Sequence, residues 1–159
     1  MTFKNNDYAL AVNYRRTGEN GLMSRLYSLV KMHWPIAYLL RDICERQLTH
    51  DDMFKVLSKS PLISPTYITI CPFEMKYYPT IITRDPEDFK QYFHTWVVQT
   101  NRDWNRVEPD IEHSIKRRDF VKTIVEKPQW TVPELVAGIY KENTIYWCLI
   151  TRDSYTTNL

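Results

Sequence analysis

Asn101 sits where chemistry is conceivable. It closes the run Trp96-Val97-Val98-Gln99-Thr100, a stretch that reads as strand and then gives way to amides and opposite charges. A side-chain amide held at a strand end can donate to the oxyanion that forms when a carbonyl is attacked, an effect of roughly 3 kcal/mol in a working site. The basic pair Arg117 and Arg118 could clamp or orient a carboxylate. Each also has a plainer reading, because an asparagine in a turn and a solvated helix face account for the same residues.

Other chemistries find less support. The four histidines, His33, His50, His94 and His113, have no H-x-x-x-H or HExxH spacing, so no metal is expected. There is no G-x-S-x-G elbow and no glycine-rich phosphate loop, and no cofactor is expected either. His94 and Thr95 read as a packed surface pair. The acid pairs Asp51/Asp52 and Glu87/Asp88 fall in a helix start and a turn, where solvation explains them. Cys44, Cys71 and Cys148 are an odd set without C-x-x-C, so no disulfide framework is implied. Cys44 and Cys148 read as core thiols, and Cys71, ahead of Pro72, as the most exposed.

The elements that must position these residues follow from periodicity. YALAVNY (8–14) alternates as a strand, and RTGENG turns the chain. Apolar residues at 22, 23, 26, 29 and 30 predict a helix over 22–32, and Pro35 restarts a second over 35–47. Thr49 is the expected N-cap of a third, over 50–59, with acids in its first turn. Strands are expected at 66–71, 79–84 and 94–100, in one antiparallel sheet carrying the three helices on one face. Residues 110–127 read as a helix, Thr131-x-x-Glu134 as a capping box opening another to Tyr140, and TIYWCLIT as a closing strand. Helices and strands so segregated argue for α+β rather than a doubly wound sheet.

At 159 residues the chain is expected to be a single domain with a real core. Its 43% hydrophobic and 25% charged residues are a globular balance. A net charge of +2, with basic residues dispersed among acids, argues against nucleic acid. The N-terminal stretch lacks the apolar core of a signal peptide, no N-x-[ST] sequon occurs, and no apolar run reaches membrane-spanning length. Taken as it stands, the chain reads as cytoplasmic.

Several segments, in order, resemble a known family. WVVQTNRDWNR is similar to the T-N-Y-D-x-W segment of the lysosomal N-terminal-nucleophile amidases, acid ceramidase and N-acylethanolamine-hydrolysing acid amidase. YALAVNYR resembles the family strand that ends in a glutamate, PTIITRD its V-I-T-R-D/N strand, SIKRRDF its D-D-R-R-T segment, and NTIYWCLI its late L-T-V-Y-T-T strand. The likeness runs from about Tyr8 to Thr151. It implies part of an αββα sandwich, a lysosomal setting, and hydrolysis of a lipid amide, a ceramide or an N-acylethanolamine. In the family an N-terminal Cys attacks the carbonyl and its α-amine acts as base. The asparagine at Asn101 completes the oxyanion hole, and the arginine at Arg117 belongs to the same site.

The sequence departs from that pattern in ways that bear on activity. The family nucleophile lies upstream of the segment matching Tyr8, and Tyr14 stands at the family's glutamate. Arg102 replaces the tyrosine after the asparagine, and Trp104 comes one residue early. The expectation is a fragment or divergent member, inactive as an isolated chain; the alternative is a non-catalytic lipid-binding or protein-interaction module. Expected partners are a lipid amide and either a separate nucleophile-bearing segment or a second copy joined through an open sheet edge.

Overall fold

The computed structural model describes residues 2–4, 7–15, 22–74, 76–100, 103, 114–127, 131 and 133. Alternation sets the sheet. In β2 (Tyr8–Tyr14), Tyr8, Leu10 and Val12 fall on one face. The antiparallel register sets Leu10 opposite Ile70 and Val12 opposite Ile68 of β3 (Thr66–Pro72), and Ile68 opposite Ile82 of β4 (Thr80–Arg84). Short β1 (Thr2–Lys4) flanks β2, and β5 (Phe89–Phe93) flanks β4, giving an antiparallel order β1-β2-β3-β4-β5.

Against the Leu10/Ile68/Ile70/Ile82 face pack α2 (Ile36–Arg46), through Leu39, Leu40 and Ile43, and α3 (His50–Lys59), through Met53 and Leu57. Full burial of such side chains contributes about 1.5–3 kcal/mol each, so this layer is the principal core. Pro35 caps α2 in the extended region, where its missing N–H costs nothing. Thr49 caps α3 as expected, accepting from the Asp52 N–H at 3.3 Å.

Three expectations need correction. The strand after β4 is Phe89–Phe93, not 94–100. The Asp85 N–H bonds to the Asp88 carbonyl at 2.9 Å, closing a tight turn that starts the return strand at Phe89. Turn geometry thus overrode the β-branched run that had marked 94–100. Val97 and Val98 are buried, but Val98 packs on Val121, Ile124 and Val125 of α4 (Ser114–Val125).

The second correction concerns α1 (Leu22–Val30). The described part of its apolar stripe does not join the core: Leu26, Leu29 and Val30 are exposed, while Ser28 is buried. The connection into α2 decides this. The Trp34 N–H bonds to the Pro61 carbonyl at 2.8 Å and the Ile63 N–H to the Trp34 carbonyl at 3.1 Å, tying that link to the chain before β3. Just before it Met32, at φ 55°, ends α1 with the His33 N–H on the Ser28 carbonyl and its own on Leu29. That is a Schellman cap with methionine where glycine is usual.

The third correction is Cys71, which is buried rather than exposed. It lies inside β3 opposite Ala9, and Pro72 ends the strand after it. Cys44 is half-buried on α2. Cys148, the helix opened by Thr131 and the closing strand over 144–151 lie outside the described residues. The architecture is α+β, an antiparallel sheet with helices packed on one face.

Candidate functional site

Two strands are each followed by a charged residue, Arg15 after β2 and Asp85 after β4, and Asp103 lies three positions past the buried stretch Val97–Thr100. Folding brings the three together. The Arg15 guanidinium donates from Nε to Asp103 Oδ1 at 2.8 Å and from Nη2 to Oδ2 at 2.6 Å, a two-pronged bond. Its Nη1 reaches Asp85 Oδ1 at 2.5 Å and the Arg84 carbonyl at 3.4 Å. Tyr67 of β3 donates its hydroxyl to Asp103 Oδ1 at 2.6 Å, and the Arg15 guanidinium lies 5.8 Å from the Tyr67 ring centre.

The setting is dry. Arg15 is 4% exposed, Asp103 9% and Tyr67 2%, while the Asp85 side chain is 45% exposed and keeps its surplus charge in water. Burial alone would lower the pKa of Arg15, but its bonds and charge interaction with Asp103, then those with Asp85, leave it raised and the cation fixed. Burial, followed by the bond to the Asp103 carboxylate, raises the Tyr67 phenol, so Tyr67 stays a donor. With its donors and acceptors engaged inside, this cluster holds chain segments in place rather than moving protons.

A second buried arginine ties sheet to helix. Arg84 is fully buried and donates to the Ser58 and Ser60 carbonyls, where α3 ends and a cation suits the helix dipole. Burial lowers its pKa, with Asp88 and Asp85 opposing.

The sequence-derived candidates are placed as follows. Tyr14, at the end of β2 and next to Arg15, is 59% exposed. Arg117 is buried on α4 and donates from Nη2 to Ser114 Oγ at 2.9 Å. Because Val98 packs on α4, the helix of Arg117 lies against the segment that leads toward Asn101. Asn101 itself lies outside the described residues, but its neighbour Asp103 is clamped to the end of β2. Neither described thiol is an activated nucleophile. Burial pushes Cys71 up to about 12, and burial likewise raises Cys44. No cluster of His, Cys, Asp and Glu able to hold a metal occurs among the described residues, and none of their helices is long and apolar enough to cross a membrane.

Sequence reasoning missed Arg15, Tyr67, Asp85 and Asp103 as a unit. The available signal was the opposite signs closing the stretches NYR, TRD and NRD.

No protein-family model matches the chain. An uncharacterized protein of Acanthamoeba polyphaga mimivirus is 27% identical over 155 residues, a match taking in 89% of this chain and 47% of that protein. Among solved structures, the Caenorhabditis elegans ortholog of N-acylethanolamine-hydrolyzing acid amidase is similar with a TM-score of 0.61 at 19% identity. That likeness covers 84% of this chain and 58% of the amidase. The chain therefore spans about half the length of the viral protein and under three-fifths of the amidase. The likeness to the amidase is one of fold, and it bears out the α+β sandwich expected from the sequence.

Proposed function

We propose that the chain is the part of a linear-amide hydrolase that presents the oxyanion donor, with Asn101 in that role and Arg117 beside it. The observation that carries this is the clamp of Arg15 on Asp103. Arg15 adjoins Tyr14, the family's glutamate position, and Asp103 lies two residues past Asn101. One buried ion pair therefore ties together the two segments to which the resemblance assigns the site. An amide donor is useful only when its position is fixed before charge develops, and a buried bidentate pair is a means of fixing it. The substrate in this reading is a lipid amide, an N-acylethanolamine or a ceramide, in a lysosome-like acidic setting.

In this reading neither Cys71 nor Cys44 is the nucleophile. Burial raises the pKa of both Cys71 and Cys44, and the resemblance assigns the attack to an N-terminal cysteine in a segment that precedes the one matching Tyr8. The test is release of ethanolamine from an N-acylethanolamine, at acidic and neutral pH, by the chain alone and by the chain co-expressed with such a segment. Turnover only in the combination supports the proposal. Turnover by the chain alone that survives Thr2→Ala would overturn it, and loss on Thr2→Ala would identify an exposed N-terminal threonine as the nucleophile instead.

A second reading is a non-catalytic lipid-binding or protein-interaction module. It is favoured by the exposed Leu26, Leu29 and Val30 of α1 and by Tyr14 in place of a carboxylate. No turnover in the combination, with fatty-amide binding retained, would select it.

A further inference from the structure

β5 is an edge of the sheet, with β4 on one side and no described strand on the other. Backbone alternation tells which of its groups face that open side. The His94 N–H bonds to the Pro79 carbonyl at 3.3 Å and the Asp85 N–H to the Asp88 carbonyl at 2.9 Å, so Asp88 and His94 turn their backbone groups toward β4. Successive residues of an antiparallel strand turn theirs to opposite sides. Lys90 and Tyr92 therefore also bond to β4, while Phe89, Gln91 and Phe93 present theirs at the open edge. Asp88 Oδ1 holds the Phe89 N–H at 2.7 Å. The N–H groups of Gln91 and Phe93 have no such partner among the described residues. Phe89, Lys90, Gln91 and Phe93 are all exposed, so nothing else covers this edge.

The sequence of the edge is complementary to itself. A strand laid antiparallel on it must bring outward residues opposite outward residues, and for a second copy the two are related by a twofold axis. Three placements of that axis keep most of the strand paired. Centred on Lys90, the two ammonium groups lie directly opposite each other; centred on Tyr92, Lys90 falls opposite His94, base against base. Centred on Gln91, FKQYF reads nearly the same in both directions. Phe89 then meets Phe93 of the second copy, Lys90 meets Tyr92, and the acid Asp88 meets the base His94. Each Gln91 N–H meets the other Gln91 carbonyl, and each Phe93 N–H the Phe89 carbonyl, without disturbing the Asp88 bond.

From these open donors and the matched pairs we infer that β5 pairs antiparallel with β5 of a second copy of this chain, about a twofold axis at Gln91, so that one sheet runs through the dimer. Pairing covers Phe89 and Phe93, which are 37% and 57% exposed in the single chain. A lysine commonly protects an edge from pairing, but here Lys90 meets a ring rather than another cation. The contact is small, at the weak end of specific interfaces, so the dimer forms reversibly. It is independent of the amide-hydrolysis reading.

The test is sedimentation velocity of the full chain from micromolar to near-millimolar concentration, which should show a reversible approach to twice the monomer mass. Gln91→Pro removes an outward donor and leaves the β4 ladder whole, so it should keep the unfolding midpoint and sediment as monomer throughout. Mild oxidation of Gln91→Cys should give a disulfide-linked dimer, because the Cα atoms of a hydrogen-bonded pair lie about 5.5 Å apart. Lys90→Cys and Tyr92→Cys set like positions on a diagonal about 7–8 Å apart and should not cross-link, with the unmodified chain as the control for its own thiols. A monomer at every concentration, a dimer that persists in Gln91→Pro, or cross-linking through position 90 or 92 in preference to 91 would overturn the assignment.

Discussion

Replacing Arg15 by methionine removes the cation and keeps much of the apolar volume. Asp103 would then remain 9% exposed with only the Tyr67 hydroxyl, at 2.6 Å, of its three described donor contacts. Hydrogen bonds to charged groups are worth about 1.5–3 kcal/mol each, and Asp103 loses two of them. Breaking a buried ion pair from one side costs about 3–5 kcal/mol, and the two routes agree. The Asp85 arm adds little, because that carboxylate is 45% exposed and surface pairs contribute about 0–1 kcal/mol. Equilibrium urea unfolding followed by tryptophan fluorescence should show a loss of about 3–5 kcal/mol for Arg15→Met and under about 1 kcal/mol for Asp85→Asn. The double variant Arg15→Met/Asp103→Leu should be more stable than the sum of its singles, since an apolar pair leaves no buried charge behind. Additive effects, or a loss below about 1 kcal/mol for Arg15→Met, would show that the pair is not the buried clamp described.

Met32→Gly should stabilise the chain by up to about 1 kcal/mol in the same assay, because Met32 holds φ 55° with its side chain 87% exposed. Leu39→Ala should cost about 2–5 kcal/mol and Val30→Ala under about 0.5 kcal/mol, since the first is in the core and the second is on the exposed face of α1. Burial raises the Cys71 thiol from 9.0 to about 12, so its contribution to stability is complete below pH 9 and is lost as pH climbs toward 12. Unfolding free energy should fall across that window by up to about 1.4 kcal/mol per pH unit, and Cys71→Ala should flatten the slope.

Much of the fold was legible because local signals agreed with the final packing. Alternation in YALAVNY, proline before α2 and threonine before α3 each encode an element within a few residues, and the structure keeps all three. What failed was decided at longer range. Leu26, Leu29 and Val30 of α1 are periodic but face water, because the Trp34 connection fixes the orientation and periodicity carries no information about which partner is present. The run 94–100 looked more strand-like than FKQYF, yet the Asp85–Asp88 turn set the register. For the site, single residues such as Arg117 could be proposed one at a time. The Arg15, Asp85 and Asp103 cluster could not, because its members lie 70 and 88 positions from Arg15 and only the sheet brings them together.

The most direct test of the proposed role is the steady-state kinetics of Asn101→Ala in the chain combined with its nucleophile-bearing segment, using an N-acylethanolamine substrate. Removing one oxyanion donor should lower kcat by about 10²–10³-fold with little change in KM, because the amide acts only once the carbonyl is attacked. An unchanged kcat would contradict the assignment of Asn101 as the donor.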